Sequence, residues 1–131
     1  MFDDRSPIYL QIAEQVRDDV VHGRLRADDP VMSTNAYART FRINPATAAK
    51  GLQVLLDEGL LYQRRGIGTF VAPDARARLL HERRARFFRE VVDPVVAEAR
   101  AIGVPLAEVV AHLEAARDAH PPATGDAEVT P

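Results

Sequence analysis

Two residues, Arg42 and Ile43, separate a helical pattern that ends near Phe41 from another that opens at Asn44. Two short helices joined so tightly can only cross steeply, which makes a helix-turn-helix. In the second helix the apolar positions Ala48, Leu52, Leu55 and Leu56 recur at i, i+4, i+7 and i+8, leaving Thr47, Lys50 and Gln53 outward. Asn44 can accept a hydrogen bond from an orphan N–H, Pro45 is tolerated at the first helical position, and Gly59 is the stop. The first helix, Thr34 to about Phe41, takes Ser33 as its cap and turns Ala38 and Phe41 inward.

The flanking segments supply what this pair must pack against. Ile8, Ile12, Val16 and Val20 stand four apart in a helix that Ser6 can cap, with Pro7 in its first turn and His22-Gly23 at its end. Leu25 is expected to fold back on the last turn as at a glycine C-cap, and Arg24 to Pro30 reads as a polar connection. After Gly59, Leu60 to Pro73 contains two β-prone runs flanking a tip with Gly66 and Gly68, a hairpin that carries Arg64 and Arg65 outward. A lone two-stranded hairpin is not stable, so it must lie on the helices. The fold class expected is therefore mainly α with a small β-hairpin.

From Asp74 the pattern is helical and basic, with Arg76, Arg78, Arg83, Arg84, Arg86 and Arg89. Such a run reads first as a solvated face with intrahelical pairs such as Glu82 with Arg86. Ala85, Phe88, Val92, Val95, Ala99 and Ile102 alternate spacings of three and four, a short heptad seam. Pro94 interrupts it, which predicts a kink or a restart with Asp93 as cap. Gly103 ends that element, and Pro105 starts a last helix with Leu106, Val109, Val110 and Leu113 on one face. Left alone, the seam would expose aromatic and aliphatic surface with little chain left to cover it, which points to a dimer core of Phe88, Val92, Val95, Ala99, Ile102, Leu106, Val110 and Leu113.

The totals narrow the function classes. The net charge of −2 hides an uneven distribution: beyond Gly103 the single cation Arg117 faces Glu108, Glu114, Asp118, Asp126 and Glu128. A whole-chain charge thus says little about the field at any one face. The absence of cysteine removes disulfides and thiolate metal sites and fits a reducing, cytoplasmic setting. No apolar run follows Met1-Phe2-Asp3-Asp4, so no signal peptide or membrane span is expected. His22, His81, His112 and His120 have no ligand spacing, so neither metal nor cofactor is expected, and no nucleophile stands with a base as an enzyme would need.

Pro7-Ile8-Tyr9-Leu10-Gln11-Ile12, His22-Gly23-Arg24-Leu25, Asn44-Pro45-Ala46-Thr47, Leu55 to Leu60 and Arg64-Arg65-Gly66-Ile67-Gly68-Thr69-Phe70-Val71 together resemble the winged helix-turn-helix of GntR-type transcription regulators. The two-helix extension is similar to the YtrA-type branch. The resemblance implies a winged helix-turn-helix DNA-binding domain over 1–73 and a helical dimerisation region over 74–118; beyond about Asp118 the sequence has no periodicity, so a disordered tail is expected over 119–131. It implies a homodimeric repressor that binds a roughly palindromic operator in double-stranded DNA. A small-molecule effector at the dimer interface is compatible with the short extension, and Phe87, adjacent to the seam and off it, is a candidate to line a small cavity between subunits. The DNA-binding residues it implies are Ser33, Thr34, Asn35, Asn44, Pro45, Thr47 and Lys50 on the helices, and Arg64, Arg65, Gly66 and Gly68 on the wing. Where the family usually carries arginines this chain has Asn35 and Ala49. An arginine fork grips guanine, whereas Asn pairs with adenine and Ala with nothing. A rival reading follows: a protein-interaction module with a weakened DNA face, acting by pairing with another regulator.

Overall fold

A computed structural model of the chain describes residues 2–119. Its first compact unit, which ends at Arg84, is built on the crossing of helix α1 (Ile8–Val21) with helix α3 (Pro45–Asp57). Gly51 sits at the crossing and is buried there. A Cβ on it would stand 2.9 Å from Ile12 Cγ2 and 2.9 Å from the Tyr9 carbonyl oxygen. No side chain fits without the helices moving apart. Between them, helix α2 (Thr34–Phe41) packs through Tyr37 and Ala38 onto Ile12 and Ala48, with Phe2, Phe41 and Ile43 at the margin. The Phe2 and Phe41 rings lie 5.9 Å apart, so the N-terminal segment closes this end of the core.

The caps decide where these helices begin and end. Ser33 Oγ accepts from the Ala36 N–H at 3.1 Å and Asn44 Oδ1 from the Ala46 N–H at 2.7 Å, as the sequence predicts. Ser6 does not cap α1. Its carbonyl instead accepts from Gln11 Nε2 at 2.7 Å, while Pro7 takes the cap position with no side-chain bond. At the other end the Arg24 N–H reaches the Asp19 carbonyl at 2.8 Å and the Gly23 N–H reaches Val20 at 3.2 Å, a Schellman turn; the Leu25 N–H also bonds Asp19, at 3.1 Å. Gly59 closes α3 in the same way, with Leu60 N–H on the Leu55 carbonyl at 3.0 Å. Along α1, Ile12, Val16 and Val20 are buried as the spacing predicts, but Ile8 is exposed and Ala13 fills the core in its place.

The hairpin of β1 (Leu61–Arg64) and β2 (Gly68–Val71) is antiparallel, with Leu61 opposite Val71 and Arg64 opposite Gly68. Its far edge is covered. The Val31 N–H donates to the Thr69 carbonyl and the Val71 N–H to the Asp29 carbonyl, each at 2.9 Å, and the Asp28 N–H donates to Val71 at 2.8 Å. The connection before α2, read from sequence as merely polar, therefore lends the hairpin a third, strand-like edge. Asp28 holds a left-handed conformation (φ 64°) and its carboxylate accepts from the Tyr62 hydroxyl at 2.6 Å. That hydrogen bond, helped by slight desolvation and the Asp28 charge, raises the Tyr62 pKa. The inner face of the hairpin joins the main core through Leu60, Leu61 and Val71, packed with Val16, Val20, Leu52 and Leu55.

The first unit extends past Pro73, the expected domain boundary, because the first turns of α4 (Ala75–Phe87) belong to its core. Ala75 and Leu79 are buried in it. Three arginines of the basic run clamp this stretch: Arg76 Nε to the Val21 carbonyl at 3.2 Å, Arg78 Nη2 to the Glu58 carbonyl at 2.7 Å, and Arg83 to Glu14 at 3.2 Å and to the Asp18 carboxylate. Arg84, Arg86 and Arg89 are exposed, and Arg86 and Arg89 lie 3.8 and 3.7 Å from Glu90, as a solvated face with intrahelical pairs predicts.

The second unit begins at Ala85. After α4 the helix widens into a π-turn, Phe88–Val92, before α5 (Asp93–Ala101). The Asp93 N–H bonds the Phe88 carbonyl, five residues back, which spares Pro94 the bond it cannot make. The chain neither breaks nor restarts with an Asp93 cap; Asp93 is itself the first residue of α5. A Schellman turn at Gly103 leads to α6 (Leu106–Ala119). The expected tail lies, from His120 on, outside the described residues.

Two measurements test this account. Gly51→Ala gains up to about 1 kcal/mol of helix propensity but forces α1 and α3 apart, at about 1–3 kcal/mol. Urea unfolding is expected to show a net loss, and a gain would contradict the close crossing. Burial, helped by the Asp19 charge, pushes the Tyr37 hydroxyl from 10.0 up to about 12. The fold thus favours the neutral phenol. Its stabilisation is complete below pH 10 and is lost as pH rises toward 12. Tyr37→Phe should flatten that alkaline decline in the urea midpoint, while costing about 1 kcal/mol at neutral pH for the bond to Gln15 Oε1.

Candidate nucleic-acid interface

The start of α2 is an open helix terminus. Its cap bond uses the Ala36 N–H and the Tyr37 N–H reaches the Ser33 carbonyl at 2.8 Å, while the N–H groups of Thr34 and Asn35 have no acceptor among the described residues. The Asn35 side chain is exposed and equally without a partner there. Free amides at a helix N-terminus, with the positive end of the helix dipole behind them, suit a phosphate. The start of α3 is different. Pro45 has no N–H, Ala46 is capped by Asn44, and the Thr47 N–H is taken by the Asn44 carbonyl at 3.0 Å. This terminus has spent its donors on itself, so what it offers outward is side chains.

Those side chains are few. Thr47 is half-buried, and Ala46, Ala49, Lys50 and Gln53 are exposed. Gln53 is tied to Asp57 at 2.8 Å. Lys50 lies with its Nζ 4.2 Å from the centre of the Tyr9 ring. On the wing, the turn from Arg64 to Ile67 is closed by the Ile67 N–H on the Arg64 carbonyl at 2.9 Å, with Gly66 at φ +75°, a conformation a side chain would strain. Arg64 stands 6.0 Å from the Phe70 ring, which itself stacks on Tyr62 at 5.7 Å. Arg65 has no partner among the described residues, and the same is true of Arg39 and Arg42, which the sequence reading passed over.

The cations of the first unit differ in what holds them: some face carboxylates, while others, Arg76 and Arg78 on their carbonyls among them, do not. Arg17, Arg24 and Arg83 are paired with Glu58, Asp19 and Asp18, so their charge is neutralised within the unit. For Arg17, burial works against the charge, but the bidentate bond to Glu58 and the contact with Glu14 outweigh it and raise the pKa. Lys50, Arg64, Arg65, Arg39 and Arg42 keep their charge unneutralised. With the open α2 terminus, they give a domain of balanced overall charge a surface that can draw a polyanion.

A helix-turn-helix with a hairpin wing and its basic tip is the arrangement that the family described as "Bacterial regulatory proteins, gntR family" matches over residues 8–71. The chain belongs to the GntR family. It is 30% identical over 109 residues to the HTH-type transcriptional regulator YhcF of Bacillus subtilis, covering 83% of this chain and 88% of that protein. It is 29% identical to the transcriptional repressor YtrA of the same organism, over 77% of each chain, which makes it a YtrA-like member. Its match to the B. subtilis repressor NagR, 44% identical over 66 residues, spans half of this chain but only 27% of that protein. Among solved structures, a GntR-family regulator from Bacteroides thetaiotaomicron shares 29% identity at a TM-score of 0.62, over 86% of this chain and 99% of that one. The DNA-binding domain of AraR in complex with operator ORX1 shares 28% identity at a TM-score of 0.51, over 55% of this chain and 93% of that one. The fold is thus the winged helix of DNA-binding transcription regulators, a family of regulators and not of enzymes. Among the described residues no helix is long and apolar enough to cross a membrane.

In the second unit the residues expected at a dimer seam divide. Ala99 is 5% exposed, used up within its own chain, and Val92 is half-buried. Phe88, Val95, Ile102, Leu106, Val110 and Leu113 are exposed, joined by Phe87 and Val91.

Arg64→Ala and Arg65→Ala test the wing. Each is expected to weaken binding about equally across duplex sequences and to lower the slope of log affinity against log salt by about 1. An unchanged slope would remove that arginine from the interface.

Proposed function

We propose that this GntR regulator is a cytoplasmic, homodimeric repressor that binds a roughly palindromic operator. The observation that carries the dimer is the uncovered apolar strip of the second unit, where Phe88, Ile102 and Leu113 are each more than half exposed. An isolated chain rarely presents so much contiguous apolar surface to water, and a second copy would cover it with its own matching strip. A two-fold dimer brings two winged helices to DNA, and its symmetry asks for two inverted half-sites. In each half-site Asn35 favours adenine, Thr47 and Lys50 add limited contacts, and Ala49 adds none. Ser33, Asn44 and Pro45 shape the two helix starts, while Gly66 and Gly68 let the wing backbone approach the duplex. Much of the affinity then comes from phosphates.

Titration of the full chain against DNA from upstream of its own gene, in rising salt, is expected to show clear preference for an inverted repeat over random duplex. No preference at any salt would overturn the sequence-specific reading, whatever the salt slope. Val91→Glu with Phe88→Glu should convert a sedimenting dimer to monomer and weaken binding to the inverted repeat by at least about 100-fold, because two linked half-site contacts become one. If Asn35→Ala and Lys50→Ala leave operator binding and repression unchanged, the rival reading, a protein-interaction module, takes its place.

A further inference from the structure

We propose that Tyr9 is a positioning residue for DNA binding: its ring seats the Lys50 ammonium in place before the duplex arrives. The proposal rests on the DNA-facing reading of Lys50 given above. Lys50 Nζ is 4.2 Å from the Tyr9 ring centre, well within the range at which the negative face of an aromatic ring attracts a cation. No carboxylate lies within ion-pairing distance of Lys50 among the described residues. That distinguishes it from Arg17, Arg24 and Arg83, whose acids neutralise them. A carboxylate would hold the lysine and cancel its charge, whereas a ring holds it and leaves both the charge and the N–H donors available to a phosphate.

The seat is rigid for a reason already in the fold. Tyr9 is half-buried in the first turns of α1, and its carbonyl oxygen lies 2.9 Å from where a Cβ on Gly51 would stand. Gly51 follows Lys50 directly. The close crossing that places α3 on α1 therefore also places the ring beside the lysine. A free lysine has a long, mobile stem whose ordering opposes binding, and a ring contact present beforehand removes part of that cost.

A double-mutant cycle on the full chain with a mixed-sequence DNA duplex tests this. Tyr9→Leu is expected to weaken binding about two- to fivefold, the range of an exposed cation–ring contact. Tyr9→Phe should bind as the native chain does, and Tyr9→Leu should cost nothing further in a Lys50→Ala background. Proton NMR of the Lys50 side chain should show upfield ring-current shifts in the native chain and in Tyr9→Phe that vanish in Tyr9→Leu. Tyr9→Met serves in place of leucine if that variant melts early. Additive losses of Tyr9→Leu and Lys50→Ala, or a loss in Tyr9→Phe equal to that in Tyr9→Leu, would overturn the seat, the latter by assigning the contact to the hydroxyl. If Lys50→Ala binds as the native chain does, the DNA-facing reading of Lys50 fails instead, and the proposal falls with it.

Discussion

The contact of α1 with α3 at Gly51 is the constraint on which the first unit depends. With no side chain at that point, the α3 backbone rests directly on Ile12 and on the Tyr9 carbonyl. Everything that faces outward from α3 inherits its direction from this contact. Leu52 and Leu55, on the same face of α3, reach the cluster that receives the hairpin, while Ala48 meets α2. A helix is only as well aimed as the element behind it, and here the backing is the buried Ile12 side chain and the Tyr9 carbonyl, packed with no room for a Cβ between.

A second economy lies in the arginines. The basic run after Asp74 invites a reading as DNA surface or as a solvated stripe, but Arg76, Arg78 and Arg83 are spent on carbonyls and carboxylates of α1 and the end of α3. Only Arg83 is neutralised by carboxylates; Arg76 and Arg78 rest on carbonyls and keep their charge. Exposed ion pairs contribute little individually, about 0–1 kcal/mol, yet these close α4 over a core whose edge, Ala75 and Leu79, is small. Among the cations without acidic partners, two, Lys50 and Arg64, lie against aromatic rings.

Much of this was legible in the sequence because it is local. Ser33, Asn44, Gly23, Gly59 and Gly103 mark helix ends by chemistry that acts within a few residues, and their marks fall where the helices start and stop. What escaped is non-local. Asp28 to Val31 reads as a turn-rich connection, and only the distant partner strand makes it a sheet edge. Tyr37, in a helix too short for a clear period, gives no hint that it is buried against α1. Neither the ring under Lys50 nor the carbonyls under the α4 arginines has any signature in spacing. At the interface, residue types were readable and donor accounting was not: the amides of α2 are open and those of α3 are consumed, although both helices begin with a good cap.

The π-turn at Phe88–Val92 bears on how the second unit can change over evolution. A helix with such a turn stores one residue more than regular winding requires. It can gain or shed a residue there and remain a helix, where elsewhere an insertion would force a loop. Each such change in length rotates the downstream side chains by about 100° relative to the upstream ones. Val95 and Ile102, exposed downstream of the turn, would then point in a new direction relative to Phe87 upstream of it. A single codon gained or lost at this spot would thus redirect the exposed apolar side chains of the second unit and leave the sequence of the first unit untouched.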